Sequence, residues 1–402
     1  MNIFVINSGS SSIKYQLIKM PEAELICSGL VDRIGLENSS ITHKVMKNNV
    51  EKILKENLEI DDHAGGLQEV ARLLTDKEYG VISNPNEIKI VGHRVLHGGE
   101  LFSATTIIND AVKEQIKKLF PLGPLHMPPN YTGIIVAEKI FTKATQVAVF
   151  DTAFHQTMPS KAFRYAIPND LYTTHHIRAY GFHGTSHKYV SAKALEYLKN
   201  PNAKILTIHL GNGSSIAAVD KGKCVDTTMG LGPLAGLVMG TRCGDIDATV
   251  VFHMANQLGY DVNQIDNILN KKSGLLGLAG SSDMRDVKTE IEKGNKDAEL
   301  AYDMYAYRIK KYIGSYAAAL EGLDAIIFTG GIGENDDDMR RLSVKGLEFL
   351  GIELDEEKNK VRAKTIREIN TPASKVKIII IPTNEELEIA NQCYKLINEK
   401  AQ

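Results

Sequence analysis

The fold of this chain is decided by NSGSSSIK, residues 7–14, set between the apolar run IFVI at 3–6 and the strand-like YQLI at 15–18. One glycine among short hydroxyl residues builds no core. It does bend the backbone sharply and leave amide N–H groups and hydroxyls open to an anion. The hydroxyls of Ser10 and Ser12 and the point charge of Lys14 suit phosphate oxygens. A plain polar hairpin is the competing explanation for any single turn of this kind. Here the turn recurs: GSSSI at 9–13 is echoed by NGSSI at 212–216, each between two β-rich runs. A third glycine-rich turn, TGGIGEN at 329–335, also follows an apolar run. A spacing of about 200 residues predicts a duplicated domain, because solenoid repeats are only about 20–50 residues long.

Working outward, the runs IFVIN, KIVGHRV, QVAVFD, KILTIHL, AIIFTGG and KIIIIP alternate with longer amphipathic segments, the pattern of an α/β fold with partly parallel sheets. The stretch 298–322 has helical apolar spacing and ends at Gly322. The last segment, TNEELEIANQCYKLI at 383–397, predicts a helix with a capping box, Thr383 as cap and Glu386 reaching back. Leu387, Ala390, Tyr394 and Ile397 would form its buried face.

With 402 residues, 43% of them apolar, and a formal net charge of -2, the chain is expected to be soluble. Nothing in its charge points to nucleic acid or to a membrane surface. No apolar run approaches the roughly 18 residues of a spanning helix, and no secretory leader opens the chain, so a cytoplasmic location is expected. Cys27, Cys224, Cys243 and Cys393 are scattered without a C-x-x-C pair, which reads as buried thiols. Cys243, beside Arg242, is a candidate for a depressed thiol pKa.

Neither G-x-x-x-x-G-K-[ST] nor a complete G-x-G-x-x-G occurs, so the turns read as a nucleotide clamp outside the P-loop and Rossmann classes. GHRVLHGGE, residues 92–100, closes a β-run. Period 2 puts Arg94 and Leu96 on one face with His93, Val95 and His97 on the other. A guanidinium beside an aliphatic side chain suits a small carboxylic acid, whereas a structural ion pair is the plainer alternative. Arg242 lies between glycines in MGTRCGDID at 239–247 and, with Arg94 and Lys14, can neutralise a phosphoryl group in transfer. Asp151 follows the apolar strand VAVF, where a functional carboxylate and a turn cap are both common. His183 and His187 in YGFHGTSH are four apart, but the glutamate of H-E-x-x-H is missing and hydrogen bonding is the better reading for His183. His126 in PLHMPPN reads equally as active-site or loop-packing histidine.

Taken in order, NSGSSSIK, GHRVLHGGE, VFDTAFHQ, YGFHGTSH, HLGNGSS, MGTRCGDID, SSDMRD, TGGIGEN and PTNEE closely resemble the acetate kinase family, within the acetate and sugar kinase, Hsp70 and actin superfamily. The resemblance implies two duplicated ribonuclease H-like (actin-like ATPase) domains with the active site in the cleft between them. It places an N-terminal lobe at 1–150 plus 386–402, and a nucleotide-binding and dimerisation lobe at 151–385. It implies a homodimer that reversibly transfers the γ-phosphoryl group of ATP to acetate, giving acetyl phosphate and ADP, with Mg²⁺ (Mn²⁺ as a substitute). By the same resemblance Asn7 and Glu385 would hold the metal. Lys14, His209, Leu210, Gly211, Asn212, Gly213, Asp283, Met284, Arg285, Gly331, Ile332, Gly333, Glu334 and Asn335 would contact nucleotide. Arg94 would bind the carboxylate, with Leu96, Leu125, Phe182 and Pro233 around the methyl group. Asp151, His183, Arg242 and His126 would be the catalytic set. Three positions depart from the family: Leu96, where valine is commoner; Met127, where asparagine is; and Ala235, where an acid is.

A carboxylate is already a nucleophilic anion at neutral pH, so the expected chemistry is direct in-line transfer with charges neutralised; the alternative is a phosphorylated Glu385. Among rival activities, an ATP-switched chaperone or filament protein would share the clamp without needing Arg94, Leu96 and Arg242. A propionate or butyrate kinase would share everything but the pocket width.

Overall fold

The computed structural model describes residues 1–47 and 50–400. The chain divides into two compact units, Met1–Phe154 with Asn384–Gln402, and His155–Thr383.

Among its described residues the first unit has eight strands: β1 (Asn2–Ser8), β2 (Ser12–Lys19), β3 (Glu24–Asp32), β4 (Ser40–Lys47), β5 (Val50–Asn57), β6 (Ile88–Val95), β7 (Thr106–Ile107) and β8 (Thr145–Phe150). They lie in the order β5-β4-β3-β2-β1-β6-β8-β7, with β1, β6 and β8 parallel. The second unit has β9 (Lys204–Leu210), β10 (Ser214–Asp220), β11 (Lys223–Thr227), β12 (Ala325–Thr329), β13 (Arg367–Glu368) and β14 (Lys377–Ile380), in the order β11-β10-β9-β12-β14-β13. Its β9, β12 and β14 are parallel. The sequence β3-β2-β1-β6-β8 thus recurs as β11-β10-β9-β12-β14, and the duplication expected from the two serine-rich turns is present. Each turn joins the first hairpin of its sheet, and the six apolar runs are the six parallel strands.

Both faces of the parallel strands are covered, as such strands require. In the first unit, Phe4, Ile6 and Val91 pack against Leu67, Val70, Ala137 and Phe141 from the helices His63–Leu74 and Met127–Ile140. On the opposite face Ile3, Val5, Val147 and Val149 meet Ile389, Ala390 and Cys393 of the C-terminal helix Glu385–Lys400. The apolar face of that helix therefore centres on Ile389, Ala390 and Cys393, with Leu387, Tyr394 and Ile397 only partly buried beside it. In the second unit Leu206, Ile208 and Leu210 pack on Ala301, Tyr305 and Ile309 of the helix Lys296–Ala319. That helix closes with the Gly322 N–H on Ala317 O at 3.1 Å.

Two local expectations are corrected. The capping box at the last helix is not formed: Asn384, one residue later, caps it by accepting from Leu387 N at 3.0 Å. Thr383 is drawn away by the Ser186 hydroxyl at 2.8 Å, and Glu386 pairs with Lys14. The stretch Gly330–Asn335 is a short helix and not a plain glycine-rich turn. Its first residue has φ of 80°, and a Cβ there would stand 2.7 Å from Leu210 O, so only glycine fits.

Candidate active site

Alternation along the parallel strands decides what stands at their C-terminal ends. In β1, Ile3 and Val5 face the C-terminal helix, so Asn7 shares that face. In β6, a Cβ at Gly92 would meet Cys393 and Ile389 of the same helix, so Arg94, two residues on, shares it too. In β8, Val147 and Val149 face it and Asp151 follows in step. Asn7, Arg94 and Asp151 thus come from three adjacent strands to the face where the helix beginning at Glu385 lies, the usual place for function in such sheets.

Charges are tightly coupled there. Arg94 Nη2 donates to Asp151 Oδ2 at 2.9 Å, and its Nε lies 3.9 Å from Glu385 Oε2. The Asp151 side chain is wholly buried. Asp151 N donates to Val95 O at 2.9 Å, which holds the carboxylate beside β6. Burial opposes the charge on Arg94, but Asp151 and then Glu385 outweigh it and raise the guanidinium above its ordinary value. The buried Arg94 Nε has no hydrogen-bond partner, leaving one donor for a carboxylate. Burial pushes the Glu385 carboxyl up to about 6; Arg94 pulls it down, while Asp151 and Glu386 push it up. Lys14, opposite Asn7 in the hairpin register, is ion-paired with Glu386. In this state its charge is therefore shared with a carboxylate.

Asn7 and Glu385 fit a hard divalent cation. An amide oxygen and a carboxylate crowded by two others are the kind of hard oxygen donors that such a cation accepts. Among the described residues no group of three His, Cys, Asp or Glu stands ready to hold a metal.

Three further residues support this half-site. Asn130 was not singled out from the sequence; its Nδ2 donates to Ser8 O at 2.5 Å and its Oδ1 accepts from Leu96 N at 2.9 Å. It ties the serine turn to the residue after β6, and a buried asparagine behind two prolines was its only signal. His63 Nε2 reaches Gly9 O at 2.7 Å, and Gly9 N donates to Ser12 O at 2.7 Å, fixing the turn that presents the exposed Ser10. Leu96 is buried, and a Cβ at Gly123 would stand 2.9 Å from its Cδ2 and 3.0 Å from Met127 Cγ. Leu96 and Met127 thus adjoin one glycine. His126 precedes the helix Met127–Ile140 and is half-buried, and Leu125 is exposed.

The second unit carries the other set. His183 heads the helix Gly184–Leu198 with φ of 55°, a left-handed conformation that a histidine seldom adopts. Its ring stacks on His209 with centroids 4.5 Å apart. A Cβ at Gly213 would stand 3.1 Å from His183 Nε2 and 3.4 Å from Arg242 Nη1, so the absent side chain lets both residues approach one turn. Arg242 Nη1 donates to Pro233 O at 3.2 Å. No carboxylate among the described residues pairs with Arg242, and burial alone lowers its pKa. Phe182 is buried, and its carbonyl is bound by His155 Nε2 at 2.8 Å.

Of the glycine-rich segments, Gly211 N donates to Gly213 O at 3.1 Å, and Asn212, Gly240 and Ser282 converge: a Cβ at Gly240 would meet Asn212 Oδ1 and Ser282 O. Asp283 caps the helix Met284–Glu292 and grips the exposed Arg285 through Oδ2 at 2.6 Å. Glu334 turns inward, accepting from Gly330 N at 3.0 Å and Thr383 N at 3.1 Å; Asn335 stays exposed beside Gly331 and Ile332. Gly333 O is held by the buried Arg340 at 2.9 Å. Cys243 corrects an expectation: burial raises its thiol pKa, and Arg308 offsets this only in part.

A family model described as the acetokinase family matches residues 2–391. An acetate kinase from Flavobacterium johnsoniae is 59% identical over 397 residues, covering 99% of this chain and 100% of that protein. Among solved structures, Porphyromonas gingivalis acetate kinase has a TM-score of 0.92 at 42% identity, covering 98% of this chain and 99% of that one. A propionate kinase from Francisella tularensis has the same TM-score, identity and coverage.

Proposed function

The chain belongs to the acetokinase family, and from that premise we infer that it is an acetate kinase, a phosphotransferase with a carboxyl acceptor, moving the γ-phosphoryl group of ATP to acetate and back. The observation that carries this reading is the Arg94 guanidinium, buried against Asp151 with one donor left over, in a chain that also holds the unpaired Arg242. Arg94 binds the carboxylate. Asp151 fixes the plane of that guanidinium and needs to take no proton, since acetate is already ionised. Arg242 and His183 lower the repulsion between two anions as the phosphoryl group passes. Bound at Asn7 and Glu385, Mg²⁺ would supply charge neutralisation on the phosphate oxygens. The serine turn, His209 to Gly213, Asp283 to Arg285 and Gly331 to Asn335 contact nucleotide, with His126, Leu96, Leu125, Phe182 and Pro233 around the small acid.

We further propose a homodimer, supported by the exposed apolar side chains Phe252, Tyr307 and Val262 on the second unit. A cytoplasmic location is supported by four free thiols. Among the described residues no helix is long and apolar enough to cross a membrane.

The test is trapping: with ATP, acetate and hydroxylamine the enzyme is expected to form acetohydroxamate, with ADP release dependent on acetate. ATP turnover indifferent to acetate would favour an ATP-switched binding protein. The likeness to a propionate kinase raises a second question, the length of the acid. Leu96 in place of the commoner valine narrows the pocket, and one methylene is worth about 1–3 kcal/mol, roughly 10- to 200-fold. Acetate is expected to have the higher kcat/KM in a direct competition assay, and equal values would refute the role of Leu96.

A further inference from the structure

In the second unit, β9 and β10 pair so that His209 stands opposite Ser215 and Thr207 opposite Ala217. Alternation puts Thr207, His209 and Ser215 on the sheet face covered by the helix Gly184–Leu198. One continuous chain of hydrogen bonds results. His183 Nδ1 lies 2.9 Å from Ser215 Oγ, Ser215 Oγ 2.7 Å from His187 Nε2, and His187 Nδ1 2.7 Å from Thr207 Oγ1. Ser215, His187 and Thr207 are all fully buried.

The protons in this chain can be assigned. Burial, reinforced by His155 and His209, holds the His187 pKa well below its ordinary value, so the ring is neutral and carries one N–H. Ser215 has one proton to give and an imidazole nitrogen on either side. Thr207 sets the direction, because its hydroxyl has the Ala217 carbonyl as acceptor at 3.5 Å. His187 then donates from Nδ1 to Thr207 and accepts at Nε2 from Ser215. The lone pairs of Ser215 are left for His183.

We infer that Ser215 is a positioning residue for the phosphoryl transfer: its hydroxyl, oriented by the buried His187, accepts the Nδ1 proton of His183 and turns Nε2 of that ring toward the Gly213 turn beside Arg242. The logic is that of any histidine whose reacting nitrogen is set by the hydrogen bond at the other one. With Nδ1 so held, a ring that carries a proton on both nitrogens presents Nε2–H to a phosphoryl oxygen. This inference rests on the reading that His183 acts on the transferring group.

Imidazole NMR of the intact enzyme with isotope-labelled histidine is expected to show a proton on Nδ1 of both His183 and His187; a proton on Nε2 alone in either ring overturns the relay. Ser215→Ala is expected to lower kcat about tenfold with KM for ATP and acetate within about twofold, and Ser215→Thr to restore most of the loss. If Ser215→Ala keeps the native kcat while His183→Ala loses it, the relay is wrong and the role of His183 stands. If His183→Ala also keeps it, the reading of His183 itself fails.

Discussion

Replacing Arg242 by alanine is expected to lower kcat by about 10³-fold while KM for ATP changes little, because a well-placed arginine contributes about 10³–10⁵ to phosphoryl transfer. The expectation comes from what surrounds this side chain. Its guanidinium is partly buried and held by the Pro233 carbonyl, with burial as the one influence on its pKa. A cation with no counter-ion keeps its field for the charge that develops in the transition state. The same isolation predicts the stability effect. Arg242→Ala removes an uncompensated, partly desolvated charge and should leave the melting temperature unchanged or slightly raised. Steady-state kinetics beside thermal unfolding check both; a wild-type kcat would remove Arg242 from the mechanism.

The second large effect is expected at Arg94 and has the opposite stability signature. Arg94→Ala should reduce kcat/KM for acetate by about 10²–10³-fold through loss of a charge-assisted pair. It also takes the guanidinium away from the wholly buried Asp151 carboxylate, and breaking one side of a buried ion pair costs about 3–5 kcal/mol. Adding Asp151→Asn should recover most of that stability and none of the acetate affinity. If Arg94→Ala alone melts like the native protein, the ion pair is not the anchor described above. If the double variant regains acetate affinity, Arg94 does not bind the acid.

Much of this was legible in the sequence because the fold is built from buried parallel strands, whose apolar runs are long and uninterrupted. All six such runs are strands inside a sheet, and the candidate residues Asn7, Arg94 and Asp151 stand at or just past the C-terminal ends of three of them. The meander β3 to β5 was less legible. Its outermost strand, VEKILKEN, buries no residue fully, leaves Val50 and Ile53 exposed and carries four charged side chains, so it shows little apolar signal, as an edge strand does. The relay of Ser215, His187 and Thr207 depends on the β9–β10 register, and the Asn130 bridge on where a helix lies over β1; neither is written in local spacing. The missed cap has a plainer cause. Thr383 and Asn384 are both good capping residues, and Ser186, 197 positions away, takes the threonine hydroxyl.

The central claim is that acetate attacks the γ-phosphorus itself while guanidinium groups cancel the repulsion. The most direct test is the stereochemical course with ATP made chiral at the γ-phosphorus by oxygen isotopes. Net inversion in acetyl phosphate is predicted; retention would contradict the claim and establish a phosphorylated carboxylate, with Glu385 the first residue to examine.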